Sequence, residues 1–87
     1  MELKDTIALM VSDDYKQRFL AEYYQTLIRY NKLNNMIDKY YKNQLDFTPV
    51  CPIFVLKLQR DLMLQYLAML EKRAAYEGLE LEDVKLC

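Results

Sequence analysis

Leu45-Asp46-Phe47-Thr48-Pro49-Val50-Cys51-Pro52 is the stretch that breaks an otherwise helical pattern and divides the chain into two long arms. Pro49 and Pro52 each push the preceding residue out of the helical region, while Asn43, Asp46 and Thr48 favour loop geometry. Punctuation is scarce elsewhere: 87 residues hold two prolines and a single glycine, Gly78. On the N-terminal side of the turn, Leu20, Tyr23, Leu27, Tyr30, Leu33, Ile37 and Tyr40 recur at steps of three and four, which keeps them on one helix face. Ser12-Asp13-Asp14 supplies a start signal, a hydroxyl to take an orphan amide and two carboxylates for the positive end of the dipole. A helix is expected from Asp13 to about Asn43, roughly 46 Å long at ~1.5 Å per residue.

On the other side, Pro52 suits the first turn of a helix that Gly78 closes, so this arm is expected from Pro52 to Glu77. Val55, Leu58, Leu62, Tyr66, Met69 and Tyr76 form its main stripe, the expected core face, and Leu56, Met63, Leu67, Leu70 and Ala74 widen it. Leu79 is placed to fold back in a Schellman cap, and residues 79–87 are left as a tail. Upstream, Leu3, Ile7, Leu9 and Met10 predict a short helix over residues 3–10 that is too short to stand alone in water and must dock.

These elements make an all-α fold in one domain, residues 1–87: a short N-terminal helix plus a long antiparallel helical hairpin with its turn at 45–52. Both stripes are wide. Phe19, Tyr24, Ile28, Met36 and Tyr41 add to the first more apolar surface than one partner helix can cover. In a chain this small, ordering entropy nearly cancels the hydrophobic gain, so disulfides, metals or subunit contacts usually contribute. Two cysteines, Cys51 and Cys87, and no histidine leave neither a disulfide framework nor a Cys/His zinc site. A homo-oligomeric helical assembly is therefore expected.

The charged start Met1-Glu2-Leu3-Lys4-Asp5 is not followed by an apolar run, and no window approaches the ~20 apolar residues of a membrane span. A cytoplasmic protein with no membrane partner is expected. Net charge is -1, which argues against binding of long nucleic acid. The charge is uneven: Lys16, Arg18, Arg29, Lys32, Lys39 and Lys42 face only Glu22 and Asp38 between Tyr15 and Leu45, whereas both termini are acidic. General acid–base and nucleophilic catalysis most often recruit His or an activated Cys or Ser. Ser12 and Cys51 sit at helix starts and Glu22 and Asp38 are far apart along one helix, so the chain is expected to bind without catalysis, cofactor or metal.

Eight tyrosines are the most unusual feature of the composition. Packing explains most of them, since tyrosine buries a ring while leaving its hydroxyl at a wet edge. Tyr15 lies off the main stripe near a helix start, where its ring could stack on a planar ligand as aromatics do on unstacked bases. Arg18, Gln25, Arg29, Lys32 and Lys39 share one face of the first long helix. Complementing the dipole accounts for Lys39 and Lys42 near the carboxyl end but not for Arg18. Arginine and amide donors beside tyrosine suit phosphate and base recognition.

The run Leu58-Gln59, followed by Leu62-Met63-Leu64-Gln65-Tyr66-Leu67-Ala68-Met69-Leu70-Glu71-Lys72-Arg73-Ala74, resembles a helix of small helical-hairpin proteins from tailed phages, including crAss-like phages and prophages of Firmicutes. Asp13-Asp14-Tyr15-Lys16-Gln17-Arg18-Phe19 through Tyr30-Asn31-Lys32-Leu33 looks like the first long helix of the same proteins. Proteins of similar architecture are anti-defence sponges, which oligomerise and sequester nucleotide second messengers of CBASS- or Thoeris-type immunity. The resemblance implies a ligand-binding set in which Tyr15 stacks on a base while Arg18, Arg29, Lys32 and Arg73 hold phosphates. It implies an anionic nucleotide and further copies of the chain as partners, in the cytoplasm of an infected bacterium. The alternative is a phage-encoded inhibitor that binds a host defence protein directly, because tyrosine and arginine are also interface hot-spot residues.

Overall fold

Side chains that satisfy orphan backbone groups set the helix ends in the computed structural model, which describes residues 1–81. A 3-10 turn, Leu3–Thr6, runs into the single α-helical turn α1, Ile7–Met10, and is followed by α2, Tyr15–Tyr41, and α3, Ile53–Glu77. The described residues contain no strand, so the fold is all-α. Asp14, rather than Ser12, is the N-cap of α2. Its carboxylate accepts the Lys16 amide at 3.0 Å, and its own amide donates to the Ser12 hydroxyl at 3.1 Å. At the other end Asn43 takes a left-handed φ of 55°, and the Gln44 amide donates to the Lys39 carbonyl at 2.8 Å. The helix thus closes two residues before Asn43.

Pro52 caps α3 from outside the first turn, its carbonyl accepting the Val55 amide at 3.0 Å. Gly78 ends the helix at φ 71°, and the Leu79 amide folds back onto the Ala74 carbonyl at 2.9 Å, as the glycine position suggested. Residues 82–87 of the expected tail lie outside the described residues. The N-terminal segment docks through Thr6. Fully buried, its hydroxyl donates to the Leu3 carbonyl at 2.7 Å and accepts from the Gln25 side chain at 2.8 Å.

α2 is covered on two sides. Phe19, Tyr23 and Tyr24 form the core with Leu67, Leu70 and Ala74 of α3, and Leu9, Leu20, Leu27, Tyr30 and Leu79 pack around them. Ala21 and Ile28, buried on either side of Gln25, belong to the face turned to the N-terminal segment. Tyr40, expected at the end of the α2 stripe, is exposed instead.

The larger correction concerns α3. Leu70 is 1% exposed, whereas Leu62, expected in the core, is 55% exposed, and Val55, Leu58, Tyr66, Met69 and Tyr76 are exposed with it. Two apolar rows at helical spacing are indistinguishable by period alone. Two side chains favour the row that packs. Ala74 leaves room for the aromatic rings of α2, and Glu71, on the same side, accepts the Tyr23 hydroxyl at 2.5 Å. With the rows reversed, the buried Tyr23 phenol would lose that acceptor.

Candidate functional site

Antiparallel packing divides the five residues expected to bind ligand. Tyr15 and Arg18 lie at the start of α2, and Arg73 lies at the end of α3 beside them, its guanidinium 4.8 Å above the Phe19 ring centroid. Arg29 and Lys32 lie further along α2. Seventeen residues separate Tyr15 from Lys32, roughly 25 Å of helix, so one small ligand cannot reach both within one chain. The cations also differ in availability. Arg73 is engaged by Glu77, with Nε and Nη2 at 3.1 and 3.0 Å from the same carboxylate oxygen. Arg18 donates to the Ser12 carbonyl at 2.7 Å, tying down the chain ahead of the α2 cap. Tyr15 is half exposed. Arg29, Lys32 and Lys39 are exposed, and their side chains have no hydrogen-bond or ion-pair partner among the described residues.

Lys32 and Lys39, seven residues apart on one face of α2, border a cleft of about 400 Å³ where the chain folds back after the helix. Asn35 and Met36 line its floor from α2, and Gln44, Asp46 and Phe47 close it from the turn. Phe47 is 54% exposed and, with Leu45, also borders a neighbouring cleft lined by Tyr40, Tyr41 and Thr48. A third cleft, at Asn34, Lys57 and Arg60, holds cations already occupied. Arg60 pairs with Asp61 at 3.1 Å, and Lys57 sits 5.3 Å from the Tyr41 ring centroid.

A helix carboxyl end normally repels anions, because its last carbonyls carry partial negative charge. Here the turn consumes them: the amides of Lys42, Asn43 and Gln44 donate to the carbonyls of Asp38, Tyr40 and Lys39. Those carbonyls are thereby acceptors already used, and the charged groups of the cleft lining are Lys32, Lys39 and Asp46. In sequence Lys39 belongs to the basic face and is explained by the helix dipole, and Phe47 reads as part of the turn. The overlooked signal is a large aromatic ring in a polar loop, between Asp46 and Thr48-Pro49.

The buried polar chemistry elsewhere is structural. Burial, reinforced by the carboxylate of Glu71, raises the Tyr23 phenol well above its ordinary value, so it stays protonated and donates. At the surface, Tyr66 donates to Glu22 across the hairpin. Among the described residues no group of three metal-ligating side chains converges, and no helix is long and apolar enough to cross a membrane.

Searches of curated proteins and of solved structures returned no match. A family model, Sequestin, matches residues 13–76, a span that takes in α2, the turn with its cleft and nearly all of α3. That is well over half of the chain, which therefore belongs to the Sequestin family.

Proposed function

We propose that the protein sequesters an anionic nucleotide at the turn end of α2 and holds it without turnover. The observation that carries this reading is the pair Lys32 and Lys39, both without a counter-ion among the described residues, on the rim of a cleft walled by an exposed aromatic ring. Each group has a role in the chemistry. The two ammonium groups meet phosphate oxygens, with Arg29, one turn before Lys32, extending the basic rim. Phe47 offers a stacking face for the base, and stacking of this kind contributes about 1–3 kcal/mol. Asp46, which would repel phosphate, accepts from a ribose hydroxyl or an exocyclic amine and so orients the ligand. Asn35 and Gln44 supply amide donors and acceptors for the base edge. The family name supports sequestration as the mode of action. The phage resemblance supports a nucleotide immune messenger, of cyclic-oligonucleotide or ADP-ribose type, as the ligand, and anti-defence as the role.

Tyr15, Arg18 and Arg73, at the opposite end of the hairpin, are the alternative location for the same ligand class. The cleft is preferred because its cations are unpaired while Arg18 and Arg73 already have acceptors.

The test is a thermal-shift panel of cyclic di- and trinucleotides and ADP-ribose derivatives. A ligand present at about 100 times its dissociation constant stabilises by about 2.7 kcal/mol. Lys32→Glu combined with Lys39→Glu should abolish the shift and leave helicity unchanged, since exposed substitutions usually cost under ~0.5 kcal/mol each. Ligand released by heat should have its original mass. If no nucleotide shifts the melt and a host defence protein co-purifies, direct inhibition of that protein replaces this reading.

A further inference from the structure

We infer that the outer face of α3 is a seam along which a second copy of this chain docks, antiparallel, to form a two-fold dimer. Val55, Leu62, Met69 and Tyr76 recur every seven residues on this face, with Leu58 and Tyr66 between them. All six are exposed, Tyr76 to 86%. At these exposures the stripe leaves on the order of 700 Å² of side chain uncovered. That exceeds the ~300–600 Å² of the largest patch on a typical monomer and approaches the ~800 Å² per partner of a stable interface.

A seven-residue apolar repeat on a straight helix matches another helix of the same repeat, which points to self-association. Charge sets the direction. Asp61 and Lys72 lie on the same edge of the stripe, five residues before and six residues after Tyr66, which is near its middle. Parallel two-fold docking would send the Asp61–Lys72 edges of the two copies to opposite sides of the seam, where they could not meet. Antiparallel docking sets each Asp61 opposite Lys72 of the other copy, twice, as an isologous interface requires. Asp61 has capacity for this contact, because both of its Arg60 contacts fall on Oδ1. Lys72 is exposed and has no ion-pair partner among the described residues. Lys32 and Lys39 lie on the side of α2 away from α3, so a dimer built on this seam presents two clefts outward.

Sedimentation of the full chain at micromolar concentration should give twice the 10.5 kDa chain mass. Leu62→Glu with Met69→Glu should reduce it to 10.5 kDa while helical circular dichroism is retained. Asp61→Lys alone, or Lys72→Asp alone, should weaken the dimer at least tenfold, and the two together should restore it. A wild-type mass of 10.5 kDa throughout the micromolar range, or a dimer indifferent to Leu62→Glu with Met69→Glu, overturns the seam. Failure of the charge swap to restore association overturns the antiparallel docking. No nucleotide enters these measurements, so failure of the cleft reading leaves their outcome unaffected.

Discussion

Leu70→Ala and Leu62→Ala delete the same atoms from the same helix, yet the structure assigns them different costs. Leu70 is 1% exposed among Phe19, Tyr23, Tyr24, Leu67 and Ala74, so its truncation loses the transfer energy and leaves a cavity, roughly 2–5 kcal/mol in all. Leu62 is 55% exposed. About half of the ~1.5–3 kcal/mol for fully burying a leucine is never gained there in the monomer, and no enclosed cavity forms, so its loss should stay below about 1.5 kcal/mol. Total stability near 0.05–0.15 kcal/mol per residue makes the first figure a large share of the whole. Urea titration followed by helical circular dichroism, at sub-micromolar chain to keep copies apart, should show a lowered midpoint at constant slope for Leu70→Ala. The melting temperature should fall by roughly 4–8 °C for each kcal/mol. Raising the concentration should enlarge the Leu62→Ala penalty and leave the Leu70→Ala penalty unchanged. Equal penalties at high dilution would refute this assignment of core and surface rows.

Tyr23→Phe removes a buried phenol that donates to Glu71, which should cost about 1.5–3 kcal/mol, read by the same titration. The raised Tyr23 value means the folded state keeps a proton that the unfolded chain releases near pH 10, so this contribution is complete below that pH and is lost as pH rises further. Alkaline melts should therefore decline less steeply in Tyr23→Phe. Gly78→Ala meets open space but requires a left-handed alanine at φ 71°, and thermal melting should show a loss of about 1–2 kcal/mol. Phe47→Ala should weaken nucleotide binding by about 1–3 kcal/mol while Tyr15→Ala leaves it unchanged; calorimetry giving the reverse order would move the ligand to the other end of the hairpin.

The turn, the two arms and their caps were legible because prolines, one glycine and short polar side chains act on the backbone of their immediate neighbours. Pro49, Pro52 and Gly78 placed their boundaries to within one or two residues. What the sequence could not specify was which of two apolar rows on α3 faces α2, since Leu62 and Leu70 are alike to a periodicity. That choice rests on contacts between residues some fifty positions apart, such as Tyr23 with Glu71. The candidate site was legible by residue type but not by grouping. Arg29, Lys32 and Lys39 were visible as one basic face, yet their relation to Phe47 depends on how the turn folds back. Arg73 was named without its restraint, because Glu77 one turn later is an ordinary helix neighbour until the geometry puts it on the guanidinium.

The burial of α2 on two sides has a consequence for local opening. α2 packs against both the N-terminal segment and α3, so neither of these can be the last element to lose its structure while α2 is intact. Amide hydrogen exchange should be slowest in the middle of α2, around Tyr23 to Ile28, where opening requires release from both sides. The first half of α3, whose outward side chains are exposed, should exchange orders of magnitude faster than Leu67 to Ala74 in dilute solution. Lifting the N-terminal segment, held by Thr6 on Gln25, should expose Ala21 and Ile28 and withdraw Leu9 from the edge of the core, while Phe19 and Leu70 keep their contacts across the hairpin. The hairpin would then open in two separable units hinged on one persistent helix.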